Sequence, residues 1–127
     1  MPWSYSINPA LNLATTTASG IVTEEELRHG VLSAYADPRF QPEMRAFLDY
    51  SQAVEWRVSA EFLARLAPQR KFAAGSRTAI WAVGPLNYGM CRVYQSFVDS
   101  GQLRIFGDRA EALAWLNEGV PPEQHVT

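Results

Sequence analysis

The sequence predicts an α/β fold with a five-stranded mixed sheet and four helices. Segments of strand length alternate with segments of helical periodicity, and capping patterns precede the helical segments. Two strand segments follow each other directly only at the N-terminus. This order predicts an N-terminal β-hairpin followed by a βαβαβα series, in which strands joined through helices run parallel with right-handed crossovers.

The bounds of the nine elements follow from apolar periodicity and from the turn residues between them. The strands are predicted over Ser4–Asn8, Leu11–Ser19, Arg45–Asp49, Thr78–Val83 and Gln102–Phe106. The helices are predicted from Thr23 to Asp37, Ser59 to Pro68, Leu86 to Asp99 and Asp108 to Glu118. The second helix could instead end in a frayed turn toward Phe72.

Cap residues mark the starts of three of these helices. Thr23 with Glu26, and Asp108 with Glu111, have the spacing of a capping box, and Ser59 is an N-cap before an apolar helix face. Gly20 and Asp49-Tyr50-Ser51 are turn-forming residues, so the second and third strands are predicted to end there. Trp56 then falls in a connection.

Length and composition bound the domain organisation. The chain has 127 residues, of which 47% are hydrophobic, so it fits one compact domain with no room for a second. That domain is predicted over residues 1–118. Residues 119–127 contain Pro121-Pro122 and little apolar content, which predicts a flexible C-terminal tail.

Charge and cysteine content exclude several function classes. A formal charge of −2 offers no excess positive potential for a phosphate backbone, so nucleic-acid binding is disfavoured. The single cysteine, Cys91, is compatible with a reducing compartment. Because no segment has the pattern of a signal peptide or the length of a membrane span, we expect a cytoplasmic protein.

The segment from Ser76 to Ser100 is the predicted structural centre. Its strand is apolar on both faces, which is typical of a strand covered by helices on both sides. The glycine spacing from Gly84 to Gly89 is similar to that of a phosphate loop. However, Pro85 removes one N–H donor and no Lys-Ser/Thr follows, so no nucleotide or other cofactor is expected.

Several short segments carry a resemblance to a known family. They are Tyr5-Ser6-Ile7, Ser19-Gly20, Ala36-Asp37-Pro38-Arg39-Phe40, Tyr88-Gly89-Met90 and Glu111–Leu116. With the element order, they make the chain resemble the SpoIIAA-like (STAS-like) family, in its uncharacterised bacterial branch, over nearly its whole length. The resemblance implies a non-catalytic domain that acts through protein contacts, either regulatory or self-associating. It also allows lipid binding, since Sec14-type domains are described alongside these relatives.

One functional motif of the family is only partly present. In the anti-sigma-factor antagonists, a strand ending in Asp-x-Ser precedes Asp-Ser-Ser-Gly, whose first serine is phosphorylated. Asp49-Tyr50-Ser51 matches the first motif, but Val58 occupies the position of the phosphate acceptor. Phosphorylation of Ser59 would be acceptable electrostatically beside Arg57. An N-cap role is the better interpretation of Ser59.

No catalytic or metal-binding constellation is recognised in the sequence. His29 projects away from the apolar side of its helix and His125 lies in the tail, so no metal site is expected. Cys91 is interpreted as a buried structural thiol. An enzymatic alternative would depend on Asp49 at a strand exit, with a hydroxyl such as that of Ser51 or Tyr88.

Aromatic side chains supply the candidate binding site. The candidate residues for a ligand or partner are Asp49, Trp56, Arg57, Tyr88, Met90 and Tyr94. A homodimer or another protein partner could cover them, with arginine as an anchor. Alternatively, a small apolar, lipid-like molecule could be bound by Tyr88, Met90, Tyr94 and Trp81. An aromatic-rich core without any ligand is the third interpretation.

Overall fold

A computed structural model describes residues 3–98 and 102–127, and it has the predicted order of elements. The strands are β1 (Trp3–Asn8), β2 (Leu13–Thr23), β3 (Arg45–Arg57), β4 (Thr78–Trp81) and β5 (Leu103–Phe106). The helices are α1 (Glu24–Ala36), α2 (Ala60–Leu66), α3 (Pro85–Phe97) and α4 (Arg109–Asn117). Asp99 and Ser100, which the sequence places at the end of the third helix and its segment, lie outside the described residues.

The sheet has the order β1-β2-β3-β4-β5, with β1 antiparallel to β2 and every other pair parallel. This confirms the five-stranded mixed sheet with an antiparallel N-terminal edge strand. The central strand is β3, whereas the sequence pointed to the strand before Gly84. That strand, β4, stops at Trp81 and lies one position from the β5 edge.

The helices cover the two faces of the sheet unequally. Side chains of α1, α2 and α3 pack with Leu48 and Ile80 on one face, which we call the three-helix face. Helix α4 packs with Phe47 and Ala79 on the opposite face. Because consecutive strand residues point to opposite faces, β3 contributes to both cores.

Strands β2 and β3 are longer than the sequence predicts. They pair as far as Thr23 and Arg57, with register shifts near Gly20. Gly20 has φ +65, a conformation that glycine adopts readily, so the chain continues through an irregularity that resembles a turn in the sequence. Residues 19–23 and 52–57 thus form a two-stranded arm past the paired ends of β1 and β4. Trp56 lies in this arm, so its placement in a connection was wrong.

The predicted helix caps are confirmed. Thr23 Oγ1 accepts from the Glu26 N–H at 3.3 Å and donates to the Glu26 carboxylate at 2.9 Å. Ser59 Oγ accepts from the Phe62 N–H at 3.0 Å, and the Asp108 carboxylate accepts from the Glu111 N–H at 3.3 Å. Each bond satisfies an N–H that the first turn of a helix leaves without a partner.

Arg45 joins the start of β3 to three other parts of the chain. Its guanidinium donates to the carbonyl oxygens of Leu116 at 3.0 Å, Leu11 at 2.7 Å and Gln124 at 2.6 Å. The side chain is buried, and burial lowers its pKa. Because these acceptors are neutral backbone oxygens, Arg45 fixes chain geometry without an ion pair.

Residues 119–127, predicted to be a flexible tail with weak packing, make several contacts with the domain. The Asn117 side chain donates to the Val126 carbonyl at 3.0 Å and accepts from the Val126 N–H at 2.9 Å. Val126 packs against the apolar cluster around α4. The prediction of weak packing considered only the apolar content of this segment, whereas a polar side chain, that of Asn117, holds it. Its mobility stays a prediction.

A glycine in α1 makes room for the first tryptophan. A Cβ at Gly30 would overlap the indole ring of Trp3. The Trp3 ring in turn packs against Tyr50, with ring centroids 5.9 Å apart. Gly30 therefore lets β1 and α1 approach closely, which outweighs its poor helix propensity.

We predict that Gly30→Ala lowers the free energy of unfolding by about 1 to 2 kcal/mol, since displacement of Trp3 costs more than the helix gains. Urea unfolding followed by tryptophan fluorescence measures this. Gly89→Ala in α3 is the matched control, because its Cβ would meet no atom within 4 Å; it should stabilise by up to about 1 kcal/mol. Equal stabilisation by both substitutions would contradict the role given to Gly30.

Candidate functional site

An apolar cavity of about 80 Å³ lies between the three-helix face of the sheet and helices α1 to α3. Its floor includes a row of small side chains, since β2, β3 and β4 place Ala14, Ala46 and Thr78 side by side in register. Short side chains on three neighbouring strands leave space that the helices above do not fill. The cavity thus follows from the sequence of the sheet.

The helices close the cavity with apolar side chains. Leu27 and Val31 of α1 and Leu63 of α2 line it, as do Met90 and Tyr94 of α3. None of the lining residues is acidic. The site therefore suits the apolar part of a ligand and offers no carboxylate for general acid or base catalysis.

One wall of the cavity is an aromatic row held by hydrogen bonds. Tyr50 lies between Trp3 and Trp56, with ring centroids 5.9 Å and 5.1 Å away. The Trp56 indole N–H donates to Asn87 Oδ1 at 3.0 Å, and Asn87 Nδ2 donates to the Tyr50 carbonyl oxygen at 2.5 Å. Asn87 is buried, and both ends of its amide bond to β3, so they join α3 to that strand.

The opposite end of the cavity carries three further rings and one cation. Tyr35, Phe40 and Phe72 meet edge to face, with centroids 5.1 to 5.9 Å apart. The Arg70 guanidinium lies 5.2 Å from the centre of the Phe72 ring. It also donates to the hydroxyl of Thr78, the first residue of β4, at 3.3 and 3.4 Å. This end therefore lies at the amino-terminal ends of the parallel strands.

Burial keeps the cavity's hydroxyl and thiol groups neutral. Desolvation raises the pKa of Tyr50 well above its ordinary value and also raises the pKa of Tyr94 and Tyr35. It raises the pKa of the Cys91 thiol to about 12. A thiol with that pKa is not a nucleophile at neutral pH. These groups can donate hydrogen bonds, but they are not poised for covalent chemistry.

One buried donor at the cavity has no partner. The indole Nε1 of Trp3 is buried and makes no hydrogen bond within residues 3–98 and 102–127. A buried N–H without an acceptor costs free energy. The cavity wall therefore contains an N–H donor for which the described residues supply no acceptor.

The structure brings together three of the residues singled out in the sequence and separates the others. Trp56, Met90 and Tyr94 line the cavity. Tyr88 lies on the surface near Val83 and Gly107. Trp81 packs with the α4 cluster on the opposite face, so its predicted place in an apolar-ligand site was wrong. Arg57 is exposed and pairs with Glu55.

Asp49 also lies away from the cavity. It is in register with Thr17 and Trp81, on the α4 side of the sheet. Its carboxylate accepts from the Ser51 N–H at 3.1 Å and from the Ser51 hydroxyl at 2.6 Å. These local bonds explain the turn-like sequence inside a strand. Both bonds go to Oδ1, and neither Asp49 nor Ser51 lines the cavity.

The surroundings of Ser59 do not favour a phosphate. Its N–H donates to the Glu24 carboxylate at 2.7 Å, and this bond lowers the pKa of Glu24. A phosphate on Ser59 would therefore face a carboxylate. Arg57 pairs with Glu55, and its interaction with a phosphate on Ser59 stays a prediction.

The histidines do not converge on a common site. His29 is exposed on α1, and His125 Nε2 lies 2.7 Å from the Val120 carbonyl oxygen in the C-terminal segment. Across the part of the chain that the structure describes, no three His, Cys, Asp or Glu side chains come close enough to hold a metal ion. Nor does any helix there have the length and apolarity needed to cross a bilayer.

Sequence reasoning missed Asn87, Tyr50 and Arg70. Asn87 stands four residues before Cys91, on the inward face of α3, and this spacing was the available signal. Tyr50 was interpreted as a turn residue, and Arg70 was not among the candidate residues. Only the packed structure shows that both line a cavity.

Comparison with known proteins identifies the fold. No protein-family model matches the chain, and no curated protein matches it. The structure is similar to that of an uncharacterised protein from the DUF3478 family with a SpoIIAA-like fold, from Shewanella loihica PV-4. The TM-score is 0.61 at 22% sequence identity, over 90% of this chain and 93% of that chain. The predicted SpoIIAA-like fold is thus confirmed.

Cys91 provides a test of how tightly the cavity wall is closed. Its thiol is 3% exposed, so we predict that iodoacetamide at pH 8 alkylates the native protein at least about 100-fold more slowly than the unfolded chain. Mass spectrometry of timed samples measures both rates. Similar rates in the two states would show that the wall opens freely.

The same thiol predicts a pH dependence of stability. Its pKa is raised from 9.0 to about 12 on folding, so its stabilising contribution is complete below pH 9 and is lost as the pH rises toward 12. Cys91→Ala should reduce this loss in urea unfolding between those pH values. An unchanged pH profile would contradict the assignment.

Proposed function

Proceeding from the SpoIIAA-like fold, we propose that this domain binds a small apolar molecule between its sheet and helices α1 to α3, as a carrier or sensor without catalytic activity. The cavity of about 80 Å³ carries this proposal. Protein interiors have few voids larger than a water molecule, and an empty cavity costs about 24 cal/mol per Å³. The unfilled volume would cost about 2 kcal/mol, which a ligand would recover.

The size of the cavity bounds the ligand. It is smaller than the cavity of about 150 Å³ that accepts a benzene ring. The space present therefore holds an alkyl segment of about three carbons. Tyr35, Phe40 and Phe72 are half-buried at one end. Movement of these rings to admit a chain of six carbons is part of the proposal.

A cytoplasmic location is part of this proposal. It is supported by the single buried thiol of Cys91, which has no cysteine with which to form an internal disulfide.

Self-association is the second candidate function, and a different surface favours it. Leu86 is 84% exposed and Val54 is 75% exposed, at the start of α3 and on the β2–β3 arm. The arm also carries exposed Glu55 and Arg57, which have opposite charges. A second copy related by two-fold symmetry could pair Glu55 of each chain with Arg57 of the other, as an isologous interface requires.

The cavity proposal predicts binding of an uncharged probe, 1-hexanol. In a methyl NMR titration, hexanol should shift the signals of Leu27, Val31 and Leu63, and leave those of Leu113 on the opposite face unchanged. Ala34→Leu should weaken binding about tenfold or more, since it fills part of the cavity. Ala110→Leu is the control, because Ala110 is exposed on α4. Absent or scattered shifts would refute the proposal.

The self-association proposal predicts a dimer in sedimentation equilibrium at high protein concentration. Val54→Asp and Leu86→Asp should each shift the equilibrium to monomer, because they place a charge in the apolar contact. Leu32→Asp changes another exposed leucine, 41% exposed on α1, and should leave the dimer intact. A monomer at all concentrations would rule this function out.

A further inference from the structure

The geometry points to a carboxylate as the polar end of the ligand, bound by Arg70, so we infer that the cavity takes a short-chain monocarboxylic acid. This inference deepens the proposed function and depends on it. It names the chemical class of the ligand and the residue that selects it.

Arg70 is the cation among the residues that line the cavity. Its guanidinium reaches the cavity floor at Thr78, where both terminal nitrogens share one hydroxyl oxygen at 3.3 and 3.4 Å. Those are long hydrogen bonds, and a guanidinium has five N–H donors. Most of its hydrogen-bonding capacity is therefore unused by the described residues.

Three other arginines have the carboxylate partner that Arg70 lacks among the described residues. Arg39, Arg57 and Arg77 each pair with a carboxylate, on Asp37, Glu55 and Glu118 respectively. Within the described ranges, Arg70 has no carboxylate partner closer than 4.0 Å, although it is half-buried against the Phe72 ring. A partly desolvated cation without a counter-ion is unfavourable, and an anionic ligand would correct this.

The groups around Arg70 suit an anionic head and an apolar chain. Its positive charge acts on the hydroxyls of Tyr35 and Tyr94, both of which line the cavity. These neutral hydroxyls can donate hydrogen bonds to an anion. Beyond them, the lining turns to Leu27, Val31 and Leu63, which matches an alkyl chain.

A carboxylate fits this site better than other anions. A guanidinium forms two parallel hydrogen bonds with the two oxygens of a carboxylate. A phosphate monoester carries more oxygens and a charge near −2, whereas Arg70 is the one cation among the residues that line the cavity. With a cavity of about 80 Å³, the smaller head also leaves more room for the chain.

The experiment compares hexanoate with 1-hexanol and hexyl phosphate by methyl NMR titration at pH 7. Wild-type protein should bind hexanoate about tenfold more tightly than hexanol, and more tightly than hexyl phosphate. Arg70→Leu should abolish the preference for hexanoate while changing hexanol affinity less than about twofold, and Arg70→Lys should keep part of it. Lys71→Leu removes the neighbouring exposed charge and should change nothing.

The outcomes separate this inference from the proposed function. If hexanol binds but hexanoate binds no better, or if Arg70→Leu keeps the preference, the carboxylate assignment is wrong and the apolar cavity stands. Tighter binding of hexyl phosphate would replace the carboxylate with a phosphate. An equal loss in Lys71→Leu would show that general surface charge is responsible. If wild-type protein binds none of the three probes, both proposals fail.

Discussion

The alternation of side chains along β3 is the constraint on which the rest of the structure depends. Ala46 and Leu48 point to the three-helix face, while Arg45, Phe47 and Asp49 point toward α4. A shift of one residue in the pairing would exchange the two sets. It would turn Asp49 and Phe47 toward the apolar cavity, and Ala46 and Leu48 toward α4. The pairing of β3 with β2 and β4 is therefore fixed by which of its side chains each face of the sheet can accommodate.

The division between the faces also explains how the fold generates a site. The α4 side is filled by large side chains such as Trp115 and Leu116, which are almost completely buried. On the other side the sheet presents small residues beneath three helices, and the large aromatics stand at the two ends of the gap. The α4 side is thus closely packed, whereas the three-helix side leaves a cavity.

Local signals predicted the fold well, whereas the site was only partly predictable. Thr23, Ser59 and Asp108 mark helix starts because capping depends on residues three or four positions apart. The length of β3 was missed because Asp49 and Ser51 bond to each other inside a strand. Met90 and Tyr94 were recognised as binding candidates from the aromatic and methionine content of the third helix. Arg70 was not, since its role depends on Thr78 and Phe72 coming together in three dimensions.

The bonds of Arg45 connect α4 and the residues after it to the start of β3. Its guanidinium uses the Gln124 carbonyl as an acceptor, so the last turn of the chain completes the solvation of a buried cation near the first hairpin. A chain that ended after α4 would lack this acceptor. One N–H group of the buried guanidinium would then have no protein partner in its place. The segment after α4 therefore does for Arg45 what water does for an exposed guanidinium: it supplies a hydrogen-bond acceptor.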